Sequence, residues 1–263
     1  MERPGNVDMV PFLFGVAGRE WLPGPALVRM CTDAGLPAAT ARTTISRLRD
    51  RGGLESERRG RHLEYRLAGA TAAAFTRLER ARPPADDWDN VFHGILYTVP
   101  ETERAFRDAL RRSAVLTGYG HLRAGLLIAP RDAWPTVSAQ MPPVPQGARV
   151  APLRLQLAPD DARDAAAQAW DLDAIAAALD DQRRRLDESL AAADGPPEPS
   201  AESLRAYLDL VRPVFRALLW EPSLPAALLP PTWPRHELLA SLHRALAHHQ
   251  PAARRYADAL LEQ

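Results

Sequence analysis

Between Leu36 and Leu67 the chain reads LPAATARTTISRLRDRGGLESERRGRHLEYRL, placing Thr40, Arg42, Thr43, Arg47 and Arg51 ahead of Arg58, Arg59 and Arg61. Guanidinium carries a permanent charge and a planar fork of donors that matches phosphate oxygens or the edge of guanine. A threonine hydroxyl donates or accepts at a base edge. The chemistry these side chains point to is recognition of double-stranded DNA, not bond cleavage.

To do this they must be held on one surface, and the spacing supplies the elements. Ala41, Ile45 and Leu48 fall at i, i+4 and i+7, an apolar stripe that turns Thr40, Thr43, Arg47 and Arg51 of a helix over Ala38 to Arg51 toward solvent. Arg42 and Arg49 flank that face and suit phosphate or an ion pair to a nearby carboxylate such as Glu55. Asp50, near the reading face, suits acceptance from cytosine or rejection of poor sites. A helical pattern over Ala26 to Ala34 and the Gly35-Leu36-Pro37 bend predict two helices joined by a short turn, the second free for a major groove. Gly52 and Gly53 end it. Leu54 to Glu57 and His62 to Leu67 then pair across Arg58-Arg59-Gly60-Arg61, with Leu63, Tyr65 and Leu67 toward the helices and arginines at the tip. The order is that of a winged helix-turn-helix.

Charge follows the same division. Residues 1 to 82 hold 14 Arg against 9 Asp and Glu, and residues 83 to 263 hold 19 against 24, so a chain of zero net charge is polarised by region. A basic footprint that coincides with a reading helix is what a nucleic-acid reader requires. Hydrophobic content of 46% and charged content of 25% describe a folded globular chain. It has no run of about eighteen apolar residues to cross a bilayer, and its first residues lack the signal-peptide pattern, so cytoplasm is the expected compartment. The single cysteine, Cys31, excludes an intramolecular disulfide and a cysteine metal cluster and reads as a small buried hydrophobe, with redox sensing the lesser reading.

The fold class expected is multidomain α+β in three stretches: residues 1–82, the winged helix with an exit helix over Thr71 to Arg82; 83–171, a ferredoxin-like centre; and 172–263, helical. The Arg82-Pro83-Pro84 run marks the first boundary. In the centre, Val91 to Val99, Gly125 to Ala129 and Arg149 to Leu157 read as strands, and Glu101 to Leu116 and Asp160 to Trp170 as two helices over one sheet face. Helices over Leu172 to Ala193, Ala201 to Leu219 and Glu237 to Leu261 follow.

Three separated stretches resemble the PaaX family of bacterial transcriptional repressors, named for control of phenylacetic acid degradation: ARTTISRLRDRGGLESERRGRHLEYRL, ILYTVPETERAFRDALRR, and AWDLDAIAAAL with LLWEPSLPAALLPPTWP. The resemblance implies a homodimeric regulator on operator DNA and, for the best-known members, release by an aryl-CoA thioester. Relatives often carry an acidic residue where this chain has Thr98, which removes any role needing a carboxylate there, and an aromatic where it has Gly53, which suggests looser packing at the base of the hairpin.

Other chemistry finds less support in these residues. The centre is also similar to small CRISPR-adaptation nucleases that place a catalytic Asp at the end of their first strand, and Thr98 cannot replace that anionic ligand for Mg²⁺. His236, His243, His248 and His249 never fall at i, i+4 and read as solvated helix surface, so neither metal nor cofactor is expected. For the phosphates of an acyl-CoA, Arg111 and Arg112 or Arg183, Arg184 and Arg185 are the candidates, against the plainer reading of solvated faces. Trp170, Trp220 and Trp233 read as anchors of Pro-rich connections. The competing functional class is a winged helix that serves protein contacts, with another effector or none.

Overall fold

The structure is a computed structural model that describes residues 9–69, 71–72 and 88–262, the side chains of 219 and 220 aside. The exit helix expected over 71–82, beyond its first two residues, the Pro83-Pro84 boundary and the Trp220 side chain lie outside the described residues. The chain is α+β, with two antiparallel sheets, and divides into two compact units.

The first unit begins with α1 (Met9–Ala17), apolar on every side and correspondingly buried. A two-residue strand β1 (Leu22–Pro23) leads into α2 (Gly24–Asp33), which buries Ala26, Leu27, Met30 and Cys31. Gly35, at φ +101°, supplies the left-handed residue that closes α2. The Gly35 amide donates to the Thr32 carbonyl and the Leu36 amide to the Cys31 carbonyl, at 2.9 and 3.0 Å, and Leu36 is buried under the turn. After a four-residue connection, 34–37, α3 (Ala38–Asp50) starts, burying the expected Ala41, Ile45 and Leu48 together with Thr44. Strands β2 (Leu54–Arg59) and β3 (His62–Leu67) form the hairpin, and β1 adds to β3, giving the order β1-β3-β2.

A long helix α7 (Leu172–Ala191) contributes its later part to this same unit, as do α8 (Ala201–Trp220) and α9 (Arg235–Leu261). Ser200 and Ser203 cap α8 reciprocally, each hydroxyl accepting from the other's amide at 3.0 to 3.1 Å. Leu204, Tyr207, Leu208, Val211 and Val214 make its buried stripe, and α8 and α9 both pack on α1 and α2. Phe12 of α1 meets Phe215 of α8 at a tilted 5.3 Å. Helices from the last third of the sequence thus share a core with the first third.

In the second unit β4 (Val91–Thr98), β5 (Gly120–Arg123), β6 (Leu126–Ala129) and β7 (Arg149–Gln156) form a sheet of order β5-β6-β4-β7. Helices α4 (Arg104–Leu116), α5 (Trp134–Gln140) and α6 (Pro159–Trp170) connect or follow these strands. One face of the sheet, through Ile95, Tyr97, Leu127 and Ala129, packs on Phe106 and Leu110 of α4 and Val137 of α5. The other, through Phe92, Leu126 and Ile128, packs on the alanines of α6 and on Leu224, Leu228 and Leu229. The expectation of two helices on one face is therefore corrected: α6 lies opposite α4, and the companion of α4 is α5. Unbroken burial along β6 is the physical reason, because only a sheet covered on both sides buries successive residues. Trp170 and Trp233 do anchor this second face, and the Trp233 indole donates to Glu221 at 2.7 Å.

The stripe Ala162, Ala165, Ala166 and Ala169 lets α6 approach β5 so closely that a Cβ on Gly120 would lie 2.7 Å from the Ala169 carbonyl oxygen and 2.6 Å from the Trp170 ring. Gly120→Ala is expected to cost about 1–3 kcal/mol through overpacking. A urea-unfolding midpoint equal to that of the parent protein would refute this close approach.

Candidate nucleic-acid interface

The outer face of α3 and the β2–β3 hairpin carry the residues that sequence singled out. Arg42, Thr43, Arg47 and Arg51 are exposed and Thr40 is half-buried. The Thr43 hydroxyl donates to the Ala39 carbonyl at 2.9 Å, which occupies its proton and leaves its lone pairs outward. Arg49 does not reach Glu55. Its guanidinium binds Asp50 at 3.0 and 3.2 Å, and Ser46 donates to Asp50 at 3.4 Å, so the acid near the reading face is engaged by its own helix.

Glu55 is taken instead by Arg66, whose Nε donates at 2.7 Å across the hairpin, with Glu20 a further acceptor at 3.2 Å. These bonds hold the Arg66 guanidinium above its ordinary pKa, the Glu55 contact contributing most. Register explains the pairing: Glu55 stands opposite Arg66, Glu57 opposite Glu64 and Arg59 opposite His62, all on one face. Arg59 sits between the two like charges of the middle pair, 3.3 Å from Glu57 and 3.6 Å from Glu64. Both Arg59 and Arg66 also lie over the Trp21 ring, at 4.8 and 5.0 Å from its centroid. Trp21 precedes Leu22, the partner of Tyr65, and so falls on the Arg66 side of the sheet. The sequence reading did not include Trp21; its place beside β1 was the available signal.

The crowd of arginines expected at the tip is thereby divided. The turn is only Gly60 and Arg61, because β2 continues through Arg58 and Arg59, which project to opposite faces. Arg58 shares its face with Leu63, which stands 42% exposed instead of packing on the helices, and with half-buried Tyr65. Among the described residues Arg42, Arg47, Arg51, Arg58 and Arg61 make no ion pair, whereas Arg49, Arg59 and Arg66 do. Gly53 joins helix and hairpin tightly, not loosely: a Cβ there would lie 2.5 Å from Leu48 Cδ1 and 2.6 Å from Thr71 Oγ1.

Four of the five other candidate arginines have hydrogen-bond partners within the protein. Arg183 binds Asp180 and Asp187 at 3.1 and 3.4 Å and Arg184 pairs with Asp181, so two of the three are balanced one helical turn away, while Arg185 reaches only the neutral Gln182. Arg111 donates to the Tyr97 hydroxyl at 2.8 Å, and neighbouring Arg112 is exposed. His249 is half-buried and 3.1 Å from Ser189, more enclosed than a solvated face, and burial lowers its pKa. Thr98 is exposed at the end of β4, and no cluster able to hold a metal occurs among the described residues. No described helix is long and apolar enough to cross a membrane.

Cys31 is fully enclosed in α2, and burial pushes its thiol up to about 12. The proton is therefore retained well above neutral pH, and the thiolate needed for oxidation is suppressed. Native protein at pH 8 is expected to resist a chromogenic disulfide reagent until denaturant is added, whereas labelling at the rate of a free thiol would restore the redox reading.

Family models match the chain three times in succession. Residues 17–71 match a PaaX-like protein model, 85–165 the PaaX protein central Cas2-like domain, and 170–259 the PaaX-like protein C-terminal domain. Among solved structures the chain is similar to the uncharacterized protein Rv0674 from Mycobacterium tuberculosis, with a TM-score of 0.60 and 26% identity over 94% of this chain and 95% of that one. No curated protein matches it.

Proposed function

Since the chain belongs to the PaaX family of transcriptional regulators, we propose that it is a repressor whose α1–α3 and β2–β3 hairpin act as a winged helix-turn-helix on operator DNA. The observation that carries this reading is the segregation of arginines. Those on the outer face of α3 and near the hairpin tip lack carboxylate partners among the described residues, while their neighbours are neutralised within the protein. Unpaired cations gathered along one helix face and the adjoining tip form the basic footprint that phosphate contact requires.

In this reading Thr40, Thr43 and Arg47 reach base edges in the major groove, and Arg42, Arg51, Arg58 and Arg61 hold phosphate or the neighbouring minor groove. Arg59, expected from sequence to grip DNA, serves chiefly to brace the hairpin against Trp21. A cytoplasmic homodimer would set two such heads on successive half-sites. The division into 1–82, 83–171 and 172–263 then assigns DNA contact to the first stretch. The central sheet, with order β5-β6-β4-β7 and helices linking its strands, supports the ferredoxin-like assignment of the second. The third supplies helices, and an aryl-CoA thioester is the effector class to try first.

Binding to a duplex selected by the wild-type protein from a randomised pool tests the assignment. Arg47→Ala should cost about 1–3 kcal/mol on that duplex and relax its sequence preference. Arg58→Ala and Arg61→Ala should weaken selected and random DNA alike and lower the slope of log K against log salt by about 1 each, and Arg59→Ala by less. Equal losses on both duplexes from Arg47→Ala would remove its base-reading role. A wild-type affinity insensitive to salt would favour a head that serves protein contacts. For the effector, a gel shift with and without phenylacetyl-CoA is expected to show release, and an unchanged shift would point to another ligand or none.

A further inference from the structure

The C-terminal end of α2 is tied down by residues far away in sequence. Asp33 Oδ2 accepts from Arg29 Nε, one helical turn back, and from the hydroxyl of Tyr256 on α9, both at 2.8 Å. The Asp33 main-chain carbonyl, one of those that a helix end leaves unsatisfied, accepts from Arg205 of α8 at 3.1 Å. The Asp33 side chain is only 11% exposed, so neither bond to its carboxylate is a loose surface pair. Tyr256 is half-buried, and burial, with Asp33 beside it, raises its pKa, so the phenol remains a donor through neutral pH. The last turns of α9 also reach the connection out of α1: Arg254 lies against Gly18, and Arg19 stands 3.7 Å from Asp258.

Asp33 is the last residue of α2, and α3 begins at Ala38 after a turn locked by its own hydrogen bonds and by buried Leu36. A helix held through so short and closed a turn inherits the position of the element before it. We propose that Tyr256 and Arg205 are positioning residues for the reading helix: by holding Asp33 from α9 and α8, they set the angle at which α3 presents Thr43 and Arg47. This rests on the reading that α3 contacts DNA, and it gives the C-terminal helices a share in sequence specificity without any contact to DNA.

The mechanism separates two kinds of binding. Base contacts demand correct placement of a few side chains, and phosphate contacts tolerate small rotations. Loosening the α2 end should thus weaken specific binding and leave nonspecific binding nearly as it was. The test uses the full-length protein, a labelled duplex selected by wild type from a randomised pool, and a random duplex of equal length. Tyr256→Phe and Arg205→Gln are each expected to lower affinity for the selected duplex about fivefold. The random-duplex affinity and the salt slope should stay at wild-type values, and Arg205→Lys, which keeps a donor, should recover part of the loss. Ser189→Ala, which deletes the bond between α7 and α9 at His249 and touches neither Asp33 nor α2, serves as a control and should bind both duplexes as wild type does.

Wild-type affinity of Tyr256→Phe and Arg205→Gln for the selected duplex would overturn the proposal. So would equal losses on both duplexes, or a Ser189→Ala variant that loses specificity as they do, since those patterns report general loosening of the fold. If the wild-type protein itself selects no duplex from the pool, the DNA reading fails and the positioning role falls with it, a result separable from variants that match a selective parent.

Discussion

The first unit depends on the enclosure of α2. A ten-residue helix has too few internal hydrogen bonds to persist alone in water, and α2 exists because Leu27, Met30 and Cys31 are removed from solvent completely. Burial of each larger side chain is worth about 1.5–3 kcal/mol relative to exposure. The enclosing surfaces come from α1, α3, β3, α8 and α9, so the helix ahead of the reading helix is shared property of the chain's two ends. Because a core of this density does not deform continuously, α3 takes its place from α2, and the hairpin takes its place from α3 through the tight contact at Gly53.

On that scaffold, electrostatics decides which arginines remain available. Every basic residue is arginine and acids equal them in number, so total charge says nothing about function. What marks the candidate interface is the clustering of arginines without carboxylate partners on one helix face and the adjoining tip. Along α7 the spacing of Asp180, Asp181 and Asp187 neutralises Arg183 and Arg184, two of the three arginines of a basic run, within their own helix. Along α3 the only acid is Asp50, which engages Arg49 and leaves Arg42 and Arg47 to solvent. Exposed pairs of this kind contribute little stability, which is why their presence or absence is informative about binding more than about folding.

The local features of α3 and the hairpin were legible in the sequence. The Ile45 and Leu48 stripe, the Gly35 bend and the alternating hairpin each rest on interactions within a few residues, and such periodicities survive into the fold. The features missed all depend on partners distant in sequence. Residue types alone could not tell whether Glu55 would meet Arg42, Arg49 or Arg66, because that requires the register of β2 on β3. Nor could they place α6 on the far side of the sheet from α4, although the unbroken apolar run of β6 was a sign that both faces would be covered. The attachment of Asp33 to Tyr256 and Arg205 had no local trace at all.

Register also governs which face each hairpin arginine occupies. A two-residue turn with glycine first, at φ +61°, matches the twist of paired strands and fixes Arg59 opposite His62 and Arg58 opposite Leu63. Side chains alternate along a strand, so of two adjacent arginines Arg59 falls on the acidic, Trp21-bearing face and Arg58 on the face beside Leu63. The adjacency of Arg58 and Arg59 in the sequence therefore conceals a division: Arg59 holds the hairpin in shape against Trp21, Glu57 and Glu64, and Arg58, on the other face, has no carboxylate partner among the described residues.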